Sequence, residues 1–543
     1  MDDSEVGNKY DRQVRLWNSS GQSSLSNANI CILNINITTS EILKNLVLSG
    51  VGNIKIIDNK LINSLSNFEI KSNFFLNPIT KPDLIENISV AKLLTRNLQN
   101  LNPDVSITYI DNKDISDLIS SPLNSKFWSQ FNCIISTKIL NENLSNLLQN
   151  ELIPFCYNNY IPFISVLNIG FYAFLKIIYN ERTIIDTHKP VSLLQDLRLD
   201  MPWLELKNYI NSFEFNKLSD IKLSNIPYSI ILSKLFIDYK IKNNNNSPNT
   251  KQMRELVKNL YRSGDESNLD EAYKKANKIN KISNNLPDNL IKIFNEIDNH
   301  LNLNNNLPIY QLKFWLLSKT LKNFIDSNNN LIPLNGLIDD MESDTENYNN
   351  LKKLYTEKSL KDFQNFKEIL SIELNKFNKS NNNNKLINIT DNETKIFIKN
   401  SKFIEFEKNS TDFKILLNSN LLDPLKNNYK DLININIYLG FLAIENFYHE
   451  HNKFPSNSSD SAELRAIMIS ILCYYNINSF PEGLDKILDE FIRYKGLEIH
   501  NISSLIGGIA SQEVIKILTN QYLQLDNCLT FDGIRSKAET WKL

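Results

Sequence analysis

Apolar positions along this chain follow two rhythms. Short, nearly unbroken apolar runs occur at Ile30–Ile35, Ile54–Ile57, Val105–Ile110, Cys133–Ser136 and Pro162–Leu167. Runs of this length bounded by polar residues predict buried strands. Between them, apolar residues recur every three or four positions at Glu41–Leu48, Ala91–Leu101 and Leu140–Glu151, the spacing of a helix with one buried face. Strand and helix alternate from residue 28 to residue 180. That alternation predicts an α/β fold with a mostly parallel sheet and helices on both faces.

From about Glu181 to about Pro481 the rhythm is almost wholly helical, at Pro227–Tyr239, Met253–Tyr261, Leu269–Asn277, Ile309–Ile325, Tyr348–Leu374 and Leu432–His449. Asparagine runs at Asn243–Asn246, Asn304–Asn306, Asn328–Asn330 and Asn381–Asn384 interrupt it and read as loops, because such tracts cannot pack a core. α/β character returns at the end. Ser503–Gln521 predicts a helix in which Gly507 and Gly508 allow close packing, and Cys528–Gly533 predicts a last strand. The expected organisation is an α/β domain over 1–180, a mainly helical insertion over 181–485 and a completion of the first domain by 486–543.

At 543 residues the chain exceeds the usual size of one compact domain. Its 59 basic and 61 acidic residues leave a net charge of −2, so no electrostatic drive toward nucleic acid or an anionic membrane is expected. No apolar run is long enough to span a bilayer, and the polar, acidic Met1–Tyr10 predicts no secretory signal. The five cysteines, Cys31, Cys133, Cys156, Cys473 and Cys528, lie at no metal-ligand spacing. A scattered odd set predicts reduced thiols in a cytoplasmic or nuclear protein.

The most informative stretch is residues 28–58, which reads strand, turn, helix, strand, acid. This is the order of a nucleotide site in a doubly wound sheet. Thr39 or Ser40 is the expected N-cap of the helix and Gly50 its C′ residue. Such a turn carries glycines so that backbone amides can approach a phosphate. Here it reads Asn34-Ile35-Asn36-Ile37-Thr38-Thr39, without a glycine.

The segments Lys9–Leu25 (KYDRQVRLWNSSGQSSL), SEILKNLVLSGVGNIKIID, His188–Asp200 (HKPVSLLQDLRLD) and Gly507–Ile517 (GGIASQEVIKI) resemble the ubiquitin-activating enzyme superfamily. The similarity is closest to the regulatory-subunit family of neddylation-activating enzymes. The resemblance implies a Rossmann-like pseudo-adenylation domain and a helical insertion that resembles a catalytic-cysteine domain without its cysteine. It also implies a heterodimer, in which a catalytic partner subunit binds ATP and magnesium and carries a Rub/Nedd-type modifier as a thioester.

Position by position, the resemblance implies loss of ATP chemistry in this chain, with no catalytic residue, cofactor or metal of its own. The glycine loop falls on Asn34–Thr39. Asp58 falls on the ribose-binding acid, a relic expected to be unused. The family's arginine falls near Asn73. Its phosphate-binding lysine falls near Val90, with Lys92 close but out of register. Its magnesium-binding aspartate falls near Thr137 and Lys138. Phosphoryl chemistry depends on cations and metal held together around the phosphates, and these positions have lost them as a set. Cys473, in the apolar run MISILCYYNI, is expected to be buried and inert.

Within Tyr10-Asp11-Arg12-Gln13 the resemblance assigns Arg12 a role in trans, reaching the ATP bound by the partner. A guanidinium is permanently charged and forked for phosphate oxygens. Arg15 is expected instead to pair with an acid on its own helix. Asp196, Arg198 and Asp200 alternate with leucines and are expected to be structural. His449 and His451, with no further ligand in sight, are expected to be surface residues. The rival readings are a sumoylation-type regulatory subunit, which the long insertion disfavours, and a pure scaffold with no part in ATP turnover. A self-sufficient adenylating enzyme or an NAD enzyme would need the missing glycines.

Overall fold

The structure, a computed structural model, describes residues 9–121, 124–262, 266–280, 285–301, 307–380, 386–409, 417–427 and 432–543. It divides into two compact units, one of Met1–Arg182 with Glu407–Leu543 and the other of Thr183–Phe406.

The first unit is built on a sheet that has eight strands among the described residues. In chain order they are β1 (Asn29–Leu33), β2 (Asn53–Ile57), β3 (Ser106–Ile110), β4 (Cys133–Ser136), β5 (Phe163–Ile169), β6 (Tyr172–Ile178), β7 (Cys528–Asp532) and β8 (Lys537–Trp541). Their order across the sheet is β8-β7-β6-β5-β4-β1-β2-β3. The five strands read from the apolar runs pair in parallel, with Ile30 opposite Ile54 on one side and Cys133 on the other. β6, β7 and β8 continue the sheet antiparallel. Of these, β6 and β8 were not evident in the apolar pattern. β6 follows β5 after the Gly170 turn and merges with it into one apolar stretch. The exposed β8 has no alternation to reveal it.

The main helices of this unit are α1 (Asp11–Ser26), α2 (Ile37–Leu48), α3 (Val90–Gln99), α4 (Ile433–His451), α5 (Ser458–Tyr474), α6 (Leu484–Tyr494) and α7 (His500–Thr519), with shorter helices between them. Helices α2 and α7 pack closely because Gly507 lacks a side chain. A Cβ there would sit 2.9 Å from the Cβ of Glu41, whereas Gly508 faces open space. Only the first glycine of the pair is therefore required by packing. The core beneath them runs from Ile30, Ile32, Ile54 and Ile56 to Ile506, Ala510 and Val514. A second core joins β5 and β6 to α4, α5 and α6 through Leu167, Phe174, Phe441 and Phe491. Residues 407–485 accordingly belong with the sheet, and the expected insertion boundary near 485 falls at 406 instead. Helical periodicity was the only signal used there, and it cannot say which sheet or bundle a helix packs against.

The second unit is mainly helical, with Tyr228–Lys242, Thr250–Lys258, Asp288–Leu301, Ile309–Ser327 and the 36-residue Thr345–Ser380 as its main helices. Trp315, Tyr355 and Phe366 are fully buried in it. The asparagines at Asn243–Asn245 and Asn328–Asn330 form turns at helix ends, while Asn304–Asn306 and Asn381–Asn384 lie outside the described residues. The expected helix Leu140–Glu151 is Glu142–Leu147, followed by a wider turn at Leu148–Leu152.

Candidate functional site

Helix α2 begins four residues earlier than the pattern predicted, because Asn36 and not Thr39 or Ser40 is its N-cap. The Asn36 side chain accepts from the Thr39 amide at 2.8 Å and the Thr39 hydroxyl returns the bond, so the cap is reciprocal. The Asn36 amide also donates to the Thr137 carbonyl at 2.6 Å, tying the turn to the end of β4. Helix α2 ends as expected, with Gly50 at a φ of +79° immediately beyond Ser49.

Amides at the start of α2, which in a nucleotide site would face a phosphate, are taken by acids of the chain itself. Asp58, only 2% exposed, accepts from the Ile35 amide at 2.7 Å and from the Lys60 amide at 2.8 Å. Glu498, 7% exposed, accepts from the Thr38 amide at 3.0 Å and the Thr38 hydroxyl at 3.1 Å. A carboxylate at a helix N-terminus is favourable for the same reason that a phosphate is. Burial nonetheless pushes the Glu498 carboxyl up to about 7, against the pull of the Thr38 hydrogen bonds. Asp58 therefore has a structural task, as the acceptor that fixes the turn to the end of β2. Asn34, at a φ of +65° where glycine would be easiest, leaves its side-chain amide without a partner.

Positions matched to the family's ATP-binding groups converge on one cavity of about 200 Å³, lined by Asn36, Asn73, Val90, Thr137 and Lys138 among others. Asn73 donates to the Ser40 hydroxyl at 2.8 Å, a neutral contact where a cation was looked for. Lys92 is exposed and lies outside the lining. The polar lining residues Lys60, Glu69, Asn168 and Glu498 escaped the sequence reading. The signal for Glu498 was present as a lone acid between Leu497 and Ile499. Lys60 and Asn168 carried none, because each reaches the cavity only through strand order.

At the other end of the segment the N-terminal residues are anchored. Tyr10 is buried, its ring lies where any side chain at Gly50 would have to go, and its hydroxyl accepts from Asn102 at 2.8 Å. Lys9 pairs with Asp104 at 2.5 Å. Arg15 pairs with Asp11 at 3.0 Å, as its spacing suggested. Arg12, on the first turn of α1, is exposed and makes no hydrogen bond or ion pair among the described residues. Helix α1 kinks at Trp17 and Asn18, and beyond the kink the Gln521 amide donates to the Trp17 carbonyl at 3.0 Å.

Other sequence candidates fall elsewhere. Cys473 is exposed, contrary to the expectation of burial. Helix α5 is apolar on several faces, so its sequence did not choose which side packs. The structure turns Leu464, Met468, Ile471 and Leu472 inward. Cys31, Cys133, Cys156 and Cys528 are buried thiols, pushed up by burial. His451 meets Glu463 at 3.0 Å, a neighbour the sequence did not reveal, and both Glu463 and the adjacent Glu450 are exposed. His449 does not join them. Within the second unit Arg198 is buried, donates to the Ile332 carbonyl at 2.6 Å and sits beside Asp196, while Leu197 and Leu199 enter the core. That segment is structural.

The family described as ThiF family matches residues 10–543. The NEDD8-activating enzyme E1 regulatory subunit AXL of Arabidopsis thaliana is 30% identical over 564 residues, covering 99% of this chain and 100% of that protein. The NEDD8-activating enzyme E1 regulatory subunit of Xenopus laevis is 28% identical, covering 98% of each. That of Saccharomyces cerevisiae is 26% identical, covering 98% of this chain and 100% of its own length.

Proposed function

The chain belongs to the ThiF family and, within it, to the NEDD8-activating enzyme E1 regulatory subunits, and we propose that it is the non-catalytic half of a heterodimer. In this reading a catalytic partner binds ATP and magnesium, adenylates a NEDD8-type (Rub/Nedd) modifier and takes it as a thioester. This chain stabilises that partner and lends Arg12 to its ATP. It works in the cytoplasm, the nucleus or both. Among the described residues no helix is long and apolar enough to cross a membrane.

The observation that carries the reading is the contrast in how donors are used. At α2 the Ile35 and Thr38 amides are consumed by Asp58 and Glu498, so a phosphate would have to displace two buried carboxylates. On α1 a guanidinium two residues beyond the buried Tyr10 stands exposed with no partner among the described residues. A charge held at a fixed point without a partner is suited to a ligand held by another chain, the logic of an arginine supplied in trans.

Arg12→Ala in the assembled heterodimer tests this. A charge-assisted contact to phosphate contributes about 1.5 to 3 kcal/mol, so ATP–pyrophosphate exchange should fall about tenfold to a hundredfold. Size-exclusion should still show the complex, and Arg12→Lys should recover only part of the loss, because an ammonium lacks the planar fork. Normal exchange in Arg12→Ala would leave the chain a pure scaffold. Dissociation of the complex would make Arg12 an interface residue first.

A further inference from the structure

The cavity beside α2 has lost its amides to the chain's own carboxylates, yet it retains two lysine side chains in its wall. Lys60 and Lys138 both line it, and neither forms an ion pair with a described residue. Three acids lie near: Asp58 holds the Ile35 and Lys60 amides, Glu498 holds Thr38, and Glu69 caps its own short helix through the Ser66 amide and hydroxyl at 2.8 Å. Each carboxylate thus holds backbone or hydroxyl donors at hydrogen-bond distance, and the two lysines lie beside each other without an ion pair to a described residue. Burial and the neighbouring Lys60 charge pull Lys138 down to about 8, and the weaker pull of Asp58 and Glu69 offsets this only in part.

A second, independent observation points to the same space. Asn168, 5% exposed, lines the cavity and gives its side-chain amide to Ser503 at 2.8 Å, but its carbonyl oxygen has no donor. A buried acceptor left unpaired is costly unless something supplies a hydrogen. Most of the remaining wall is apolar, with Ile35, Leu65, Phe68, Val90, Tyr448 and Phe454 in it, and the acids Glu69 and Glu498 also reach the lining. Apolar walls with a few convergent polar groups are the usual make-up of a small-molecule site.

We propose that this cavity binds a small organic carboxylate with an apolar body and one hydrogen-bond donor, its anion held by Lys60 and Lys138 and its donor satisfying Asn168. The ligand is not a nucleotide. A phosphate chain would find no open amide at α2, and about 200 Å³ is below the roughly 300 Å³ at which drug-sized pockets begin. The inference goes beyond the regulatory role and does not rest on it.

Titration calorimetry on the full chain with 4-hydroxybenzoate tests it, alongside 4-hydroxybenzamide, which has the same shape without the charge, and inorganic phosphate, which has the charge without the body. The carboxylate should bind at least about tenfold more tightly than either control. Lys60→Gln and Lys138→Gln should each lose about tenfold while keeping the far-ultraviolet spectrum and melting temperature of the wild type. At pH 8, where Lys138 is about half protonated, binding should take up as much as about half a proton, read from the dependence of the heat on buffer ionisation. Lys138→Gln should abolish that uptake. No heat at millimolar ligand, equal binding of the amide, or binding unchanged in both variants would overturn the proposal. Phosphate binding as tightly as the aryl acid would overturn the apolar-body part of it. Binding of ATP–magnesium would count against the regulatory reading instead, so the two can fail separately.

Discussion

The amino ends of α1 and α2 lie in the same unit and treat charge in opposite ways. At α2 the donors face inward and every nearby carboxylate has a partner: Asp58 takes the Ile35 and Lys60 amides, and Glu498 takes Thr38. At α1 only the frame is satisfied. Tyr10 is locked against Gly50 and Asn102, and the nearby Arg12 guanidinium has no partner among the described residues. One end has become part of the fold, and the other presents an exposed charge, which the proposed function assigns to a ligand of the partner. Substitutions at the first should therefore change stability, and substitutions at the second should change chemistry alone.

Asp58→Ala should have the largest effect on folding. It strands a buried amide at Ile35 and a partly buried one at Lys60, which costs about 3 kcal/mol. The midpoint of urea unfolding should fall accordingly. A midpoint near that of the wild type would show that the turn holds without its acid, and the contrast between the two ends would collapse.

Glu498 gives the second test through pH. Its carboxyl is raised from 4.5 to about 7 in the fold, so the folded state holds the proton more tightly than the unfolded one. The stability this contributes is complete below about 4.5 and is lost as pH rises through about 7, amounting to about 3 kcal/mol at most. Urea midpoints from pH 4.5 to 7.5 should therefore fall more steeply for the wild type than for Glu498→Gln. Equal slopes would mean that this acid titrates normally and is solvated rather than seated on α2.

Arg12→Ala should leave the unfolding midpoint within about 0.5 kcal/mol of the wild type, while lowering exchange in the heterodimer if the proposed trans role holds. A loss of stability comparable to that of Asp58→Ala would place Arg12 inside the fold. The smallest effect is expected at Cys473. Its exposure makes the thiol accessible, yet nothing in the proposed division of labour uses it, so Cys473→Ser should form the modifier thioester at an unchanged rate in a gel-based assay. Loss of the thioester would transfer the acyl-carrying role to this chain.

Much of this arrangement could be read from the sequence, for reasons that differ by element. The five parallel strands announced themselves because burial on both faces demands unbroken apolar runs, as in Ile54–Ile57 and Cys133–Ser136. The turn at Asn34–Thr39 could be placed at the position of a phosphate loop, because its strand, helix and acid stand in that order. What occupies the turn was not legible. Glu498 arrives from 460 residues away in the chain, and Lys60 meets Lys138 only because β2 and β4 both flank β1. The N-cap was misplaced because Asn36 precedes the first periodic residue by several positions, and local pattern cannot distinguish a cap from a loop asparagine. Cys473 was misplaced because a helix apolar on several faces does not declare its inner one. Assignment of 407–485 to the sheet rests on packing against β5 and β6, a tertiary fact that helical period cannot encode.

In the proposed function the inward end of α2 has given up nucleotide. Calorimetry of ATP–magnesium with the purified chain, in the absence of the catalytic partner, tests it most directly. The account predicts no saturable heat, because the turn offers carboxylates where phosphate needs open amides. Saturable micromolar binding that disappears in Asp58→Asn would contradict it, since it would show that the site still takes the nucleotide whose place Asp58 and Glu498 are argued to have closed.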